Sequence, residues 1–201
     1  RFKLRPNVKF HDGTPFTAED VQFSFARAAA PSSQYKSYVS GVKEVKVIDP
    51  LTVEVITDGP NPVLLRQLPV LGMMSKAWSE KNGVTTPQNF KDKEETHSAR
   101  NTNGTGPFIL KTREVDVKTV YVENPNWWNK DNKKGNVTEI IYTPIKQNAT
   151  RTAALLSGEL DFVLDPPAQD LDRLRQQVKV LDGNEYRTIF IGMDQERPEL
   201  L

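Results

Sequence analysis

The sequence predicts an α/β protein, and three observations carry the prediction. Apolar and polar residues alternate with the period of a half-buried strand in several short segments, from Phe2-Lys3-Leu4 to Leu160-Asp161-Phe162-Val163-Leu164. Between them lie stretches with apolar residues one helical turn apart and capping residues at their ends, such as Thr17 to Ala30 and Asn148 to Gly158. From Thr138 onward the two kinds alternate as strand, helix, strand, helix, strand, which reads as parallel βαβ units.

Taken in order, Phe2, Leu4, Val8 and Phe10 make an opening strand pattern that turns at Asp12-Gly13 and reads as a hairpin. Thr17 with Asp20 three residues on resembles a capping box, so a helix is expected from Ala18 to Ala30, ended by Pro31. Val45 and Val47, then Leu51, Val53 and Val55, flank Asp49-Pro50 as a second hairpin over residues 43–57. Leu64, Leu65 and Leu68 give a broken helical signal before Pro69, and Ser75 is a candidate cap for a short helix through Trp78. Thr85 to Asn103 is polar and reads as a long surface excursion. Asn103-Gly104-Thr105-Gly106-Pro107 is the sharpest break in the chain, because two glycines and a proline do not sit inside a regular element. Phe108 to Leu110 and Lys118 to Val122 then form a strand pair closed by Asn124-Pro125-Asn126-Trp127-Trp128.

In the last third, Thr138 to Tyr142 is a strand. Asn148 to Ser157 is a helix, with Ala149, Ala153 and Leu156 on one face and Gly158 as its C-cap. Leu160, Phe162 and Leu164 alternate as a strand, and Pro166-Pro167 opens a helix with Leu171, Leu174 and Val178 inward. Val180-Leu181 and Thr188 to Met193 are further strands.

Composition narrows the function classes. With 201 residues, 37% apolar and 26% charged, the chain has the material for a packed core. Its 27 basic and 26 acidic residues are interspersed and sum to +1, which argues against a nucleic-acid surface. The absence of cysteine excludes disulfides, thiolate metal sites and a cysteine nucleophile. Two histidines far apart in sequence, His11 and His97, make a histidine metal site or general base a poor expectation, so neither a metal nor a cofactor is expected. No apolar run approaches the roughly 20 residues of a membrane span.

The remaining motifs have ordinary explanations. Glu159 and Asp161 share one face of their strand, which suits an acid/base pair or simply a solvent face; we read the latter. Gly104-Thr105-Gly106 lacks the lysine and following helix of a phosphate-binding loop. Trp127 and Trp128 point opposite ways if extended, so they read as a core or edge plug before a ligand platform. His11 beside its turn reads as surface. No Gly-x-Ser-x-Gly elbow is present, and no nucleophile–base pair emerges.

The run Phe2-x-Leu4-Arg5-x-x-Val8-Lys9-Phe10-His11-Asp12-Gly13-Thr14-Pro15-Phe16-Thr17-Ala18-Glu19-Asp20-Val21-x-Phe23-Ser24-Phe25 closely resembles the signature of family 5 extracellular solute-binding proteins, the peptide- and nickel-binding components of ATP-binding-cassette (ABC) importers. The resemblance continues in order through Gly104-Thr105-Gly106-Pro107-Phe108, Asn124-Pro125-Asn126-Trp127-Trp128 (with Trp127 where the family has tyrosine), Leu155-Leu156-Ser157-Gly158-Glu159-Leu160-Asp161, and Arg187 to Asp194, with Asp194 where asparagine is common.

This resemblance implies a piece of a two-lobed periplasmic-binding-protein-like fold. Residues 1–102 would form part of an accessory α+β subdomain, 103–194 part of the main lobe-one α/β domain with its βαβ units, and 195–201 the start of a crossover to a second lobe. It also implies a receptor that captures peptides or similar small solutes between lobes closing about a hinge and delivers them to a membrane permease. Its partners would be an oligopeptide, a dipeptide or another small solute, and the permease, without nucleic acid, catalysis or cofactor. The implied location is periplasmic or extracellular, as a lipoprotein if a lipobox precedes the chain. The alternative is the sensor module of a transcriptional regulator built on the same fold.

Two places are candidates for ligand contact. Ligands of parallel sheets gather at the C-terminal strand ends, here Asp165 and Pro166. Thr188, Phe190 and Gly192 share one face of the expected inter-lobe strand, and either line the cleft or pack the sheet. With an opening strand that needs a partner, and Arg1 as its first residue, the chain reads as an internal piece expected to bind peptide weakly by itself.

Overall fold

The computed structural model describes residues 1–91 and 95–183. The chain divides into two compact units, Arg1–Pro144 and a second that begins at Ile145. The expected strand at Thr188 to Met193 lies outside the described residues.

The first unit holds two antiparallel three-stranded sheets. In the first, strand β1 (Phe2–Lys3) pairs with β3 (Thr52–Thr57), and β3 pairs with β2 (Val42–Asp49), so β3 is central. Phe2 lies opposite Val53, and Val45 opposite Val55. This corrects the opening hairpin. Phe2 is paired by a strand fifty residues away, and only Val8 to Phe16 folds back on itself. There Phe10 N–H donates to Thr14 O at 2.8 Å, Phe16 N–H donates to Val8 O at 2.9 Å, and Gly13 takes φ +86° at the turn. Asn7, with φ +62°, turns the chain between the two segments.

Helix α1 spans Ala18–Ala29. Thr17 N–H donates to the Asp20 carboxylate at 2.8 Å, so the capping box is formed. Asp20 is buried and also accepts from Lys76 N–H at 2.9 Å, tying α1 to the start of a later helix. Val21, Phe25 and Ala28 form the inward stripe of α1 and pack with Val39, Val45, Val53 and Leu71 as the main core. Burying a phenylalanine and several valines at about 1.5–3 kcal/mol each makes this cluster the largest stabilising feature of the unit. Val47 was expected to share the inward face of Val45, yet it is exposed; a register irregularity between Val47 and Asp49 re-aims the strand end.

Helix α2 (Lys36–Val39) contributes Val39 to the core. Helix α3 (Leu64–Gln67) stops just before Pro69 and continues as a 3₁₀ turn, Leu68–Val70. Helix α4 (Lys76–Lys81) is capped by Ser75, whose hydroxyl accepts from Trp78 N–H at 3.2 Å. Burial lowers the pKa of Arg27. Its guanidinium donates to Val84 O at 3.1 Å and Thr86 O at 3.4 Å, pinning the start of the long excursion.

In the second sheet β5 (Lys118–Glu123) is central, between β4 (Phe108–Glu114) and β6 (Glu139–Tyr142). Strand β6 runs antiparallel to β5, with Val120 opposite Ile141. Glu123 N–H donates to Thr138 O at 2.8 Å, which extends that pairing.

The second unit contains helix α5 (Asn148–Ser157). Gly158 terminates it with φ +78°, and Glu159 N–H donates back to Ala154 O at 2.9 Å. The inward residues of α5 are Thr152 and Ala154, whereas Ala149 and Ala153 are exposed. A 3₁₀ turn, Ala168–Asp170, leads into helix α6 (Leu171–Arg175), whose Leu174 is only 1% exposed. The expected strands at Leu160–Leu164 and Val180–Leu181 are not formed among the described residues, where no parallel strand pair occurs. A strand persists only when a neighbour takes its backbone N–H and C=O groups, and none lies beside these segments among the described residues.

Candidate ligand-binding segment

Of the predicted ligand residues, Asp165 and Pro166 are described, while Thr188, Phe190 and Gly192 lie outside the described residues. Asp165 is exposed and holds φ +48°, a left-handed conformation unusual for a residue with a side chain. This bends the chain sharply, and Pro167 follows as the residue before the 3₁₀ turn, with Asp170 N–H donating to Pro167 O at 2.9 Å. Thr152 Oγ1 on α5 donates to Asp170 Oδ2 at 3.4 Å, anchoring the downstream side of the bend. The upstream side carries Phe162 and Leu164, 70% and 66% exposed. The segment therefore presents two apolar side chains followed by a free carboxylate. That mixture can pack against an apolar group and pair with a cation, the chemistry of a peptide terminus or a basic side chain. Glu159 and Asp161 are exposed in the same stretch, which agrees with their reading as a solvent face.

Sequence reasoning missed a polar joint in the first unit that unites three of the motif blocks. His11 N–H donates to Gly104 O at 2.8 Å, and Gly104 N–H donates to His11 Nδ1 at 3.3 Å. With Nδ1 accepting, Nε2 carries the proton and donates to Gly106 O at 3.2 Å. Asp12 and Asn103 exchange a second pair: Asp12 N–H donates to Asn103 Oδ1 at 3.2 Å, and Asn103 Nδ2 donates to Asp12 Oδ2 at 2.8 Å. Asn124 is buried and donates to Gly106 O at 3.0 Å. Arg5 stacks 4.3 Å above the Trp128 ring. His11 is thus half-buried structure and not free surface.

Gly104 lies against the His11 ring. A Cβ there would meet His11 Cε1 at 3.4 Å. The available signal was the coincidence of a turn histidine, a distant Gly-x-Gly and asparagines at Asn103 and Asn124. Nothing local says that they meet.

Among the described residues no group of three histidine, cysteine, aspartate or glutamate side chains is placed to hold a metal ion, and no helix is long and apolar enough to cross a membrane.

Comparisons with known proteins agree on one family. Residues 1–200 match the model for bacterial extracellular solute-binding proteins, family 5. The periplasmic oligopeptide-binding protein OppA of Salmonella typhimurium LT2 is 31% identical over 201 residues, an alignment covering 88% of this chain and 34% of that protein. The probable D,D-dipeptide-binding periplasmic protein DdpA of Escherichia coli K12 is 30% identical, over 89% of this chain and 33% of its own. Among solved structures, MoaA from A. tumefaciens R10 in complex with mannopinic acid superposes with a TM-score of 0.72 at 28% identity, covering 87% of this chain and 34% of MoaA. NikZ of Campylobacter jejuni, in complex with Ni(L-His), gives 0.73 at 24% identity, over 86% and 33%, and so supports the fold. The chain spans about a third of the length of the curated relatives it matches. These relatives are named for peptide binding in the periplasm. The motif blocks that meet at the His11 joint and the match along nearly the whole chain lead to one conclusion: this chain belongs to the bacterial extracellular solute-binding proteins, family 5.

Proposed function

We propose that the chain is part of a periplasmic or extracellular receptor of an ABC importer, one that captures peptides or similar small solutes between two lobes and passes them to a membrane permease. The observation that carries this reading is the family match over residues 1–200, joined to relatives named for oligopeptide, D,D-dipeptide and glutathione binding. In this reading residues 1–102 belong to an accessory subdomain, 103–194 to the main lobe-one domain and 195–201 to the crossover toward the second lobe. Asp165, Pro166, Thr188, Phe190 and Gly192 contact the solute, and no covalent step is involved. The exposed Asp165 carboxylate beside Phe162 and Leu164 supports a ligand with a cationic and an apolar group, as a peptide has.

The test is calorimetry of the whole protein that carries this chain, titrated with short peptides of mixed sequence. Micromolar binding that weakens about tenfold or more in Asp165→Asn supports the reading; about 1.4 kcal/mol corresponds to each factor of ten. Binding of sugar acids or metal chelates with no binding of any peptide replaces the peptide assignment.

A further inference from the structure

The first unit contains a polar cavity of about 350 Å³ beside the His11 joint, lined by Asn7, Lys9, Phe10, His11, Gly13, Asn124, Asn126 and Lys130. Every lining residue belongs to the opening turn or to the segment that follows β5, within the first unit. Its charge is one-sided. Lys9 and Lys130 supply two ammonium groups, and no carboxylate lines it. The nearest acid in the turn, Asp12, is occupied by Asn103 and by Thr14 N–H and Oγ1, and Asp131 is outside the lining. Neither Lys9 nor Lys130 has an ion-pair partner among the described residues, although Lys133 nearby is held by Glu123 at 2.6 Å. The side-chain amides of Asn7 and Asn126 likewise make no hydrogen bond among the described residues, whereas Asn124 is fully used by Gly106 O and Asn126 N–H.

Two exposed lysines and two exposed asparagines, without ion-pair or side-chain hydrogen-bond partners among the described residues, line this one cavity and offer donors to an oxyanion. The joint behind them is rigid: His11 and Asn124 both anchor on the Gly106 carbonyl, so the walls are held before any ligand arrives. Phe10 closes the base, edge-on to Phe16 at 5.8 Å. We propose that this cavity binds a small anion through a carboxylate or phosphate group held by Lys9 and Lys130, with Asn7 and Asn126 donating to the oxygens. The site is independent of the peptide reading.

The experiment titrates the chain with inorganic phosphate and, separately, with citrate at fixed ionic strength, and follows the Asn side-chain NH₂ signals by NMR. One of the two anions is expected to saturate below about 5 mM and to shift the Asn7 and Asn126 signals, with affinity falling as salt is raised. Phosphate alone, or citrate alone, identifies which oxyanion the cavity takes. The variant Lys9→Gln/Lys130→Gln alters two exposed side chains and is expected to weaken binding at least fivefold. No saturation by either anion, shifts confined to other residues, or a smaller weakening in the double variant overturns the proposal. The wild-type shift map stands as a test even if the double variant folds poorly.

Discussion

The two units spend their apolar residues differently. In Arg1–Pro144 the α1 stripe and strand β3 end in a buried cluster, with Val53 at 1% and Phe25 at 5% exposed, while β6 keeps Ile140, Ile141 and Tyr142 exposed. In the unit that begins at Ile145, Phe162, Leu164 and Leu181 stay exposed, and the buried residues are Thr152, Ala154 and Leu174. The first unit shows that its motif residues are spent on folding: Thr17, Asp20, His11, Asp12, Asn103 and Asn124 all satisfy other protein groups. The second keeps the Asp165 carboxylate exposed beside Phe162 and Leu164. The contrast teaches that much of a family signature is spent on hydrogen bonds that hold the fold, which leaves few of its side chains for a ligand.

Four substitutions break or sharpen this comparison. The largest effect is expected for Phe25→Ala, about 3–5 kcal/mol of lost stability in urea unfolding, since it empties the centre of the α1 core. A loss below about 1 kcal/mol would mean that this cluster is not the main support of its unit. Leu174→Ala is expected to cost about 2–4 kcal/mol, read as faster hydrogen exchange of amides in α5 and α6. If those amides exchange quickly even in the native chain, the unit has no core for the mutation to empty. His11→Ala removes the hydrogen bonds to Gly104 and Gly106 and should cost about 1–2 kcal/mol in thermal unfolding. A neutral result would return His11 to the surface role that its position beside a turn implies. Phe162→Ser should change stability by less than about 0.5 kcal/mol, because the ring is already in water. A larger loss would show that Phe162 is packed, and would remove the apolar half of the proposed contact surface.

Most local features were legible. Thr17 with Asp20 read as a capping box, Ser75 as a cap and Gly158 as a helix stop, and each is found as such. The Asp49-Pro50 hairpin also stands. In it the Asp49 carboxyl is held below its ordinary pKa, chiefly by the Leu51 N–H at 2.8 Å and then by Thr52. Partners distant in sequence were illegible. Nothing around Phe2 names Val53 as its neighbour, and nothing around His11 names Gly104. The β5–β6 pairing was illegible for a related reason, since Thr138 to Tyr142 has the same period-two pattern whichever strand lies beside it.

By itself, then, the sequence determined the caps and stops of α1, α4 and α5, the Asp49-Pro50 hairpin, and which family the ordered blocks resemble. Each of these depends on groups within a few residues, where a cap or turn is satisfied locally or not at all. The tertiary structure alone decided that Phe2 pairs with β3, that β6 runs antiparallel, and that the opening turn, the Gly-x-Gly break and the Asn124 segment close into one joint. Those outcomes rest on hydrogen-bond partners far apart in the chain, by 95 residues for His11 and Gly106, which no local pattern encodes.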